Sequence, residues 1–160
     1  MGIPAATRDL AAWAANSLAD LAEAAPDQFF WGRTAQGPGP GWTLCHLVAE
    51  NDAVLAVLDP GVGPVLPVDP APFLMGSPGT VADPPPRAAA LAWFRSSTAR
   101  LDSLLAERAD ELAARPMVGP PLGPEITTAL GEILHLAVTH PAMHLALLVR
   151  WRRGRDAGPG

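Results

Sequence analysis

Histidines stand at positions 46, 135, 140 and 144 of this 160-residue chain, and their placement is its first chemical signal. At about 100° per residue, His140 and His144 lie about 40° apart on one helical face. Ile133, Ala137, Leu147 and Trp151 share that stripe, so both imidazoles point toward a core. On a separate apolar segment, His46 shares a side with Glu50, Ala53, Val54 and Val57 and also faces inward. Two histidines from one helix and one from a facing helix can converge inside a bundle. Three neutral imidazoles around a divalent ion leave a fourth position open, as in a catalytic rather than a structural metal centre. Imidazole suits zinc, nickel, copper or iron. The alternative is a set of core histidines satisfied by backbone or carboxylate hydrogen bonds. Burying three titratable rings that way needs three sets of partners, a harder requirement than one shared ion. On an ideal helix His135 lies about 140° from His140 and about 180° from His144, which leaves it outside the site.

Other side chains near these positions invite chemistry. Glu50, one turn after His46, is a candidate to hold a ligand's second ring nitrogen, with Asp20 and Asn51 as rivals and a solvated glutamate as the alternative. The lone cysteine, Cys45, sits about 100° from His46 and reads as a small buried hydrophobe rather than a nucleophile. Trp42 and Trp151 are pocket candidates that could equally close a core. Arg150, Arg152, Arg153 and Arg155 suit a helix C-terminus more than they mark the site of an anionic cofactor.

Helices must position these groups. The first runs from about Pro4–Thr7 to Ala25, with Leu10, Trp13, Ala14, Leu18, Leu21 and Ala25 at helical spacing, and Pro26 stops it. A loop follows, ending in Gly37-Pro38-Gly39-Pro40-Gly41, which no helix or central strand accommodates. The second helix begins near Trp42-Thr43, with Thr43 as its cap, and runs to Leu58. An irregular stretch from Asp59 to Pro86 holds 9 of the 19 prolines, and its Leu66, Phe73, Leu74 and Met75 are expected to pack over the bundle. Asp83-Pro84 predicts the start of a third helix that continues to about Ala114, with Leu91, Phe94, Leu101, Leu105 and Leu112 inward. A turn over Pro116–Pro124 leads to a fourth helix from Glu125 to about Arg153, ended by Gly154. With no convincing strand and no repeat, the fold class is all-α, a four-helix bundle over residues 1–154 with a short flexible tail, 155–160. Pro141 deletes the hydrogen bond to the Ala137 carbonyl and disfavours helical geometry at His140, at a cost of about 3 kcal/mol in a regular helix. A kink at the histidine pair follows, which either re-aims His140 or is a bend without chemical role.

Composition narrows the function classes. All 11 positive residues are arginines against 16 acids, and a net charge of −5 excludes a general nucleic-acid binder. A hydrophobic share of 49% with 17% charged residues is that of a globular domain. A single cysteine excludes a disulfide framework and a cysteine-based zinc module. Met1-Gly2-Ile3-Pro4 has no charged start or apolar run of a secretory signal. Ile133 to Val149 is apolar, but it falls short of the roughly 20 residues a membrane span needs and contains three histidines and a proline. A buried bundle helix, no membrane and a cytoplasmic protein are the expectations.

Two segments carry a family resemblance. Gly41-Trp42-Thr43-Leu44-Cys45-His46-Leu47-Val48-Ala49-Glu50 and His140-Pro141-Ala142-Met143-His144-Leu145-Ala146-Leu147-Leu148 resemble the DinB-like (YfiT-like) family of four-helix-bundle metalloenzymes. The first resembles the family's tryptophan–cap–histidine opening of the second helix, the second its H-x-x-x-H in the last. The segments cover a small part of the chain, while helix count, order and total length agree throughout. The resemblance implies a divalent metal, zinc or nickel, held by His46, His140 and His144. It also implies transfer or rearrangement of groups with a low-molecular-weight thiol such as bacillithiol or mycothiol, and a homodimer. Relatives often have an acid where this chain has Pro141, a departure that also excludes the H-E-x-x-H protease arrangement. The expected function is thus a metal- and thiol-dependent S-transferase or isomerase acting on small electrophiles in detoxification or stress response. The alternatives are a metal-dependent hydrolase activating water, and a non-catalytic metal- or ligand-binding bundle whose Asp59–Pro86 loop contacts a partner.

Overall fold

A computed structural model describes residues 3–117 and 126–156, with side chains as far as residue 154. Four helical rods make an all-α bundle: α1 (Ala5–Glu23), α3 (Pro40–Leu58), α4 (Arg87–Glu107) and a last rod. That rod consists of α6 (Ala129–Leu134), a π turn (His135–Thr139) and α7 (His140–Asp156). Two short helices, α2 (Asp27–Phe30) and α5 (Ala109–Ala114), lie in the connections.

α3 is the central rod, since every residue from Pro40 to Ala49 is buried. Its first turn comes so close to α2 that a Cβ at Gly41 would sit 2.7 Å from the rings of Phe30 and Trp31. One core cluster gathers Leu18, Phe30, Leu47, Phe73, Phe94 and Trp151 around the start of α3. A second gathers Leu55, Leu101, Leu105, Leu112, Ile133 and Leu136 toward its end.

Several element boundaries differ from the sequence expectation, each for a physical reason. α3 starts at Pro40, because a proline at the first helical position loses no hydrogen bond that the helix would otherwise make. Thr43 is therefore inside the helix, where its Oγ1 donates to the Gly39 carbonyl at 3.1 Å instead of capping. α4 starts at Arg87 and not at Asp83-Pro84. Asp83, Pro84 and Pro85 each precede a proline, which disfavours α geometry, and Pro86 is still extended at φ −55°, ψ 138°. α4 also breaks at Arg108 (φ −126°, ψ 15°), so the expected single helix to Ala114 is two.

α1 buries Ala11, Ala14, Leu18, Ala19 and Ala22, an alanine-rich face that permits close packing. Leu10 and Trp13, expected inward, stand 48% and 57% exposed. The segment before α3 contains a two-residue antiparallel ladder, β1 (Arg33–Thr34) against β2 (Gly37–Pro38), where only loop was expected. Its tight turn needs Gly37, which sits at φ 133°.

In the Asp59–Pro86 connection, Leu66 and Phe73 are buried as expected, whereas Leu74 and Met75 are exposed. The Asp52 carboxylate accepts from the Val65 and Leu66 amides at 3.0 and 2.8 Å and pins this segment to α3. Thr128 caps the last rod, its Oγ1 accepting from the Gly131 amide at 3.1 Å. The expected start at Glu125, most of the Pro116–Pro124 turn and residues 157–160 lie outside the described residues. At the other end α7 runs past Gly154 to Asp156. By length and composition Ala129–Gly154 is long and apolar enough to cross a membrane. It nevertheless buries Ile133, Leu136, Leu148 and Trp151 against the other rods, as the core helix of a bundle does.

Candidate metal centre

α3 and the last rod bring His46, His140 and His144 together, each offering one nitrogen within 4.8 Å of the others. The His140 and His144 Nε2 atoms are 3.1 Å apart. The His46 ring centroid lies 5.3 Å from that of His140 and 4.9 Å from that of His144.

The orientation of His46 comes from the proline-rich connection. Its Nδ1 donates to the Phe73 carbonyl at 2.7 Å. A carbonyl only accepts, so Nδ1 carries the proton and Nε2 is left with a lone pair. Trp42 stacks on the same ring at 4.8 Å and 11°, and its own Nε1 donates to the Pro72 carbonyl at 2.8 Å. One 3₁₀ turn, Ala71–Phe73, thereby fixes both the imidazole and the indole packed on it.

These residues fit a divalent ion. Two imidazole nitrogens bound at about 2.0–2.1 Å to one ion lie about 3 Å apart, close to the observed His140–His144 separation. The rings also favour the neutral state that a ligand needs. Burial lowers the pKa of His46, against a smaller opposing effect of the Phe73 carbonyl. Burial, reinforced by the neighbouring histidines, pushes His140 down to about 3. Burial and His46 push His144 down to about 4.

Pro141 acts through the π turn. The His140 amide donates to the His135 carbonyl in the i to i+5 pattern, immediately before the proline that has no amide to give Ala137. The expected loss of helical geometry at His140 does not occur, since it keeps φ −65° and ψ −49°. The wider turn takes up the distortion instead. Five-apart residues then replace four-apart ones on a shared face, so His135 stacks on His140 at 5.6 Å and 13°. The ideal-helix placement of His135 on the far side is therefore corrected. His135 flanks the triad as a packing partner and is not one of the three converging groups.

Other candidates fall into place around this centre. Glu50 Oε1 is 3.9 Å from His46 Nδ1, too far for the hydrogen bond that the Phe73 carbonyl makes. Asn51 is buried and donates to Ser97 Oγ at 2.9 Å, while Asp20 is exposed. Cys45 is fully buried, and burial pushes its thiol up to about 12, which suits a core residue. Arg150, Arg152 and Arg153 are exposed, and the Arg155 side chain lies outside the described residues.

Beside the triad opens a pocket of about 180 Å³, to which His144, Trp42, Leu147, Arg33, Gln36 and Ser77 contribute. Trp42 borders this pocket and is at the same time buried in the core cluster around the start of α3, to which Trp151 also belongs. The hairpin and the proline-rich connection both line this pocket, a role their composition did not announce. A lone buried aromatic, Phe73, among prolines was the one sequence signal that the connection touches the centre.

Over residues 7–148 the chain matches the family described as the DinB superfamily, and it belongs to that family. No curated protein and no solved structure matches it.

Proposed function

We propose that this protein is a divalent-metal-dependent enzyme, with zinc or nickel held by His46, His140 and His144, which joins a low-molecular-weight thiol to a small electrophile or uses the thiol to isomerise it. The observation that carries this reading is the pocket: His144 lines an open cavity walled by the proline-rich connection, where a purely structural ion would be enclosed. When bound, the ion supplies Lewis acidity that makes a thiol acidic enough to ionise at neutral pH.

The chain's own residues prepare the place. The Phe73 carbonyl engages Nδ1 of His46 and leaves Nε2 as its lone-pair nitrogen, and Trp42 braces that ring from its face. Trp42 and Leu147 offer apolar surface to an electrophile. The described pocket lining contains no carboxylate, which favours a nucleophile that ionises itself over hydrolysis relying on a general base. A role in detoxification or stress response, in the cytoplasm where small thiols stay reduced, accords with this chemistry. We further propose a homodimer, supported by the outward Leu10, Trp13 and Met143.

Calorimetry of zinc- or nickel-loaded protein against a thiol panel, followed by conjugation assays with small electrophiles, tests the function. Binding and conjugation with at least one thiol are expected. Loaded protein that binds none of them and conjugates nothing would overturn it.

A further inference from the structure

The pocket beside the triad has a chemical sign. Arg33, at the start of the hairpin, is its one charged residue among those described, in a chain whose net charge is −5. Arg33 makes no ion pair with any described carboxylate. The side chain is exposed at the pocket mouth; its Nη1 donates to the Pro78 carbonyl at 2.8 Å, and the rest of its donor fork is unengaged among the described residues. Gly79 is buried at φ 71°, and a Cβ there would strike the guanidinium and crowd Pro38. Ser77 Oγ is buried and has no hydrogen-bond partner among the described residues. Gln36 adds an amide to the lining. A cation at the mouth, an unengaged hydroxyl and an amide are the complement of a carboxylate, which a guanidinium binds through two parallel hydrogen bonds. The cavity has room for about six waters at about 30 Å³ each, the size of a small acid rather than a polymer.

We propose that Arg33 anchors the carboxylate of a small anionic molecule whose other end reaches the histidine triad, with Ser77 and Gln36 completing the contact. This rests on reading the triad as a substrate-binding metal centre. It makes the pocket selective for acids over their neutral analogues.

Calorimetry of zinc-loaded protein with 3-mercaptopropionate, propionate and 3-mercapto-1-propanol tests it. In the wild type the mercapto acid should bind about tenfold more tightly than the mercapto alcohol, the value of one charge-assisted contact. Arg33→Gln should remove that preference, and Arg33→Lys should retain part of it. Equal binding of acid and alcohol by the wild type, failure of both acids to bind, or a preference that survives Arg33→Gln would overturn the proposal. Should propionate bind as well as the mercapto acid, with both weakened by Arg33→Gln, the anchor stands and the thiol chemistry proposed above falls instead.

Discussion

His46 donates its Nδ1 proton to the carbonyl of Phe73, 27 residues further along the chain, at 2.7 Å. The proline-rich connection is thereby part of the centre, because it selects which nitrogen of His46 keeps a lone pair for a ligand.

Phe73→Ala should accordingly do two things. Loss of a ring that is 1% exposed costs about 3–5 kcal/mol of stability, read by urea denaturation. Displacing the carbonyl that orients a ligand weakens metal binding about 10–100-fold, read by competition with a chelator. Glu50→Gln is the control. With Oε1 at 3.9 Å from Nδ1, its loss should leave metal affinity within about threefold. The opposite ranking would show that the carboxylate, not the backbone, orients the ring.

The buried imidazoles predict a pH dependence for the metal-free chain. In the unfolded state each titrates near about 6.5, whereas the fold holds His140 near about 3 and His144 near about 4. Below pH 6.5 the unfolded chain therefore binds more protons than the folded one. Stability is complete above about pH 7 and falls as the pH drops through that window, by up to about 1.4 kcal/mol per pH unit for each ring kept neutral. Urea denaturation at pH 7.5 and 5.5 should show the loss, and His140→Gln should reduce it. Equal stability of the wild type at both pH values would contradict the burial of these rings.

Much of this arrangement was legible in the sequence. The i, i+4 histidine pair put two imidazoles on one face, although Leu147 of the stripe expected around them is exposed. The stripe expected to carry His46 inward does not hold, since Ala53 and Val57 are exposed; His46 is buried because the whole first half of α3 is. Ideal helical geometry could not place His135, because its position depends on a π turn that appears only when the chain accommodates Pro141. Nor does any side-chain pattern reveal that a backbone carbonyl will hold His46, since every residue carries one. Leu10 and Trp13 misled for a related reason. On α1 small alanines win the interior, where close approach of the rods matters more than side-chain size.

Pro141 supplies the next test. Pro141→Ala restores an amide for the Ala137 carbonyl and recovers part of the roughly 3 kcal/mol that an interior proline costs. The π turn should then relax to regular helix, carrying His135 away from the ring of His140. A crystal structure of the variant should lack the 5.6 Å stack, and its melting temperature should rise. A variant that keeps both the stack and the π turn would show that packing, not the proline, widens the helix.

The central claim is that His46, His140 and His144 share one ion, and metal content tests it most directly. Protein purified without a metal-affinity column should carry about one zinc or nickel per chain by elemental analysis, in keeping with the single such histidine cluster among the described residues. His46→Ala and His144→Ala should each lose it, while His135→Ala should keep it. Wild-type protein that neither retains nor takes up a divalent ion, or a His46→Ala variant that holds it as tightly, would contradict the account.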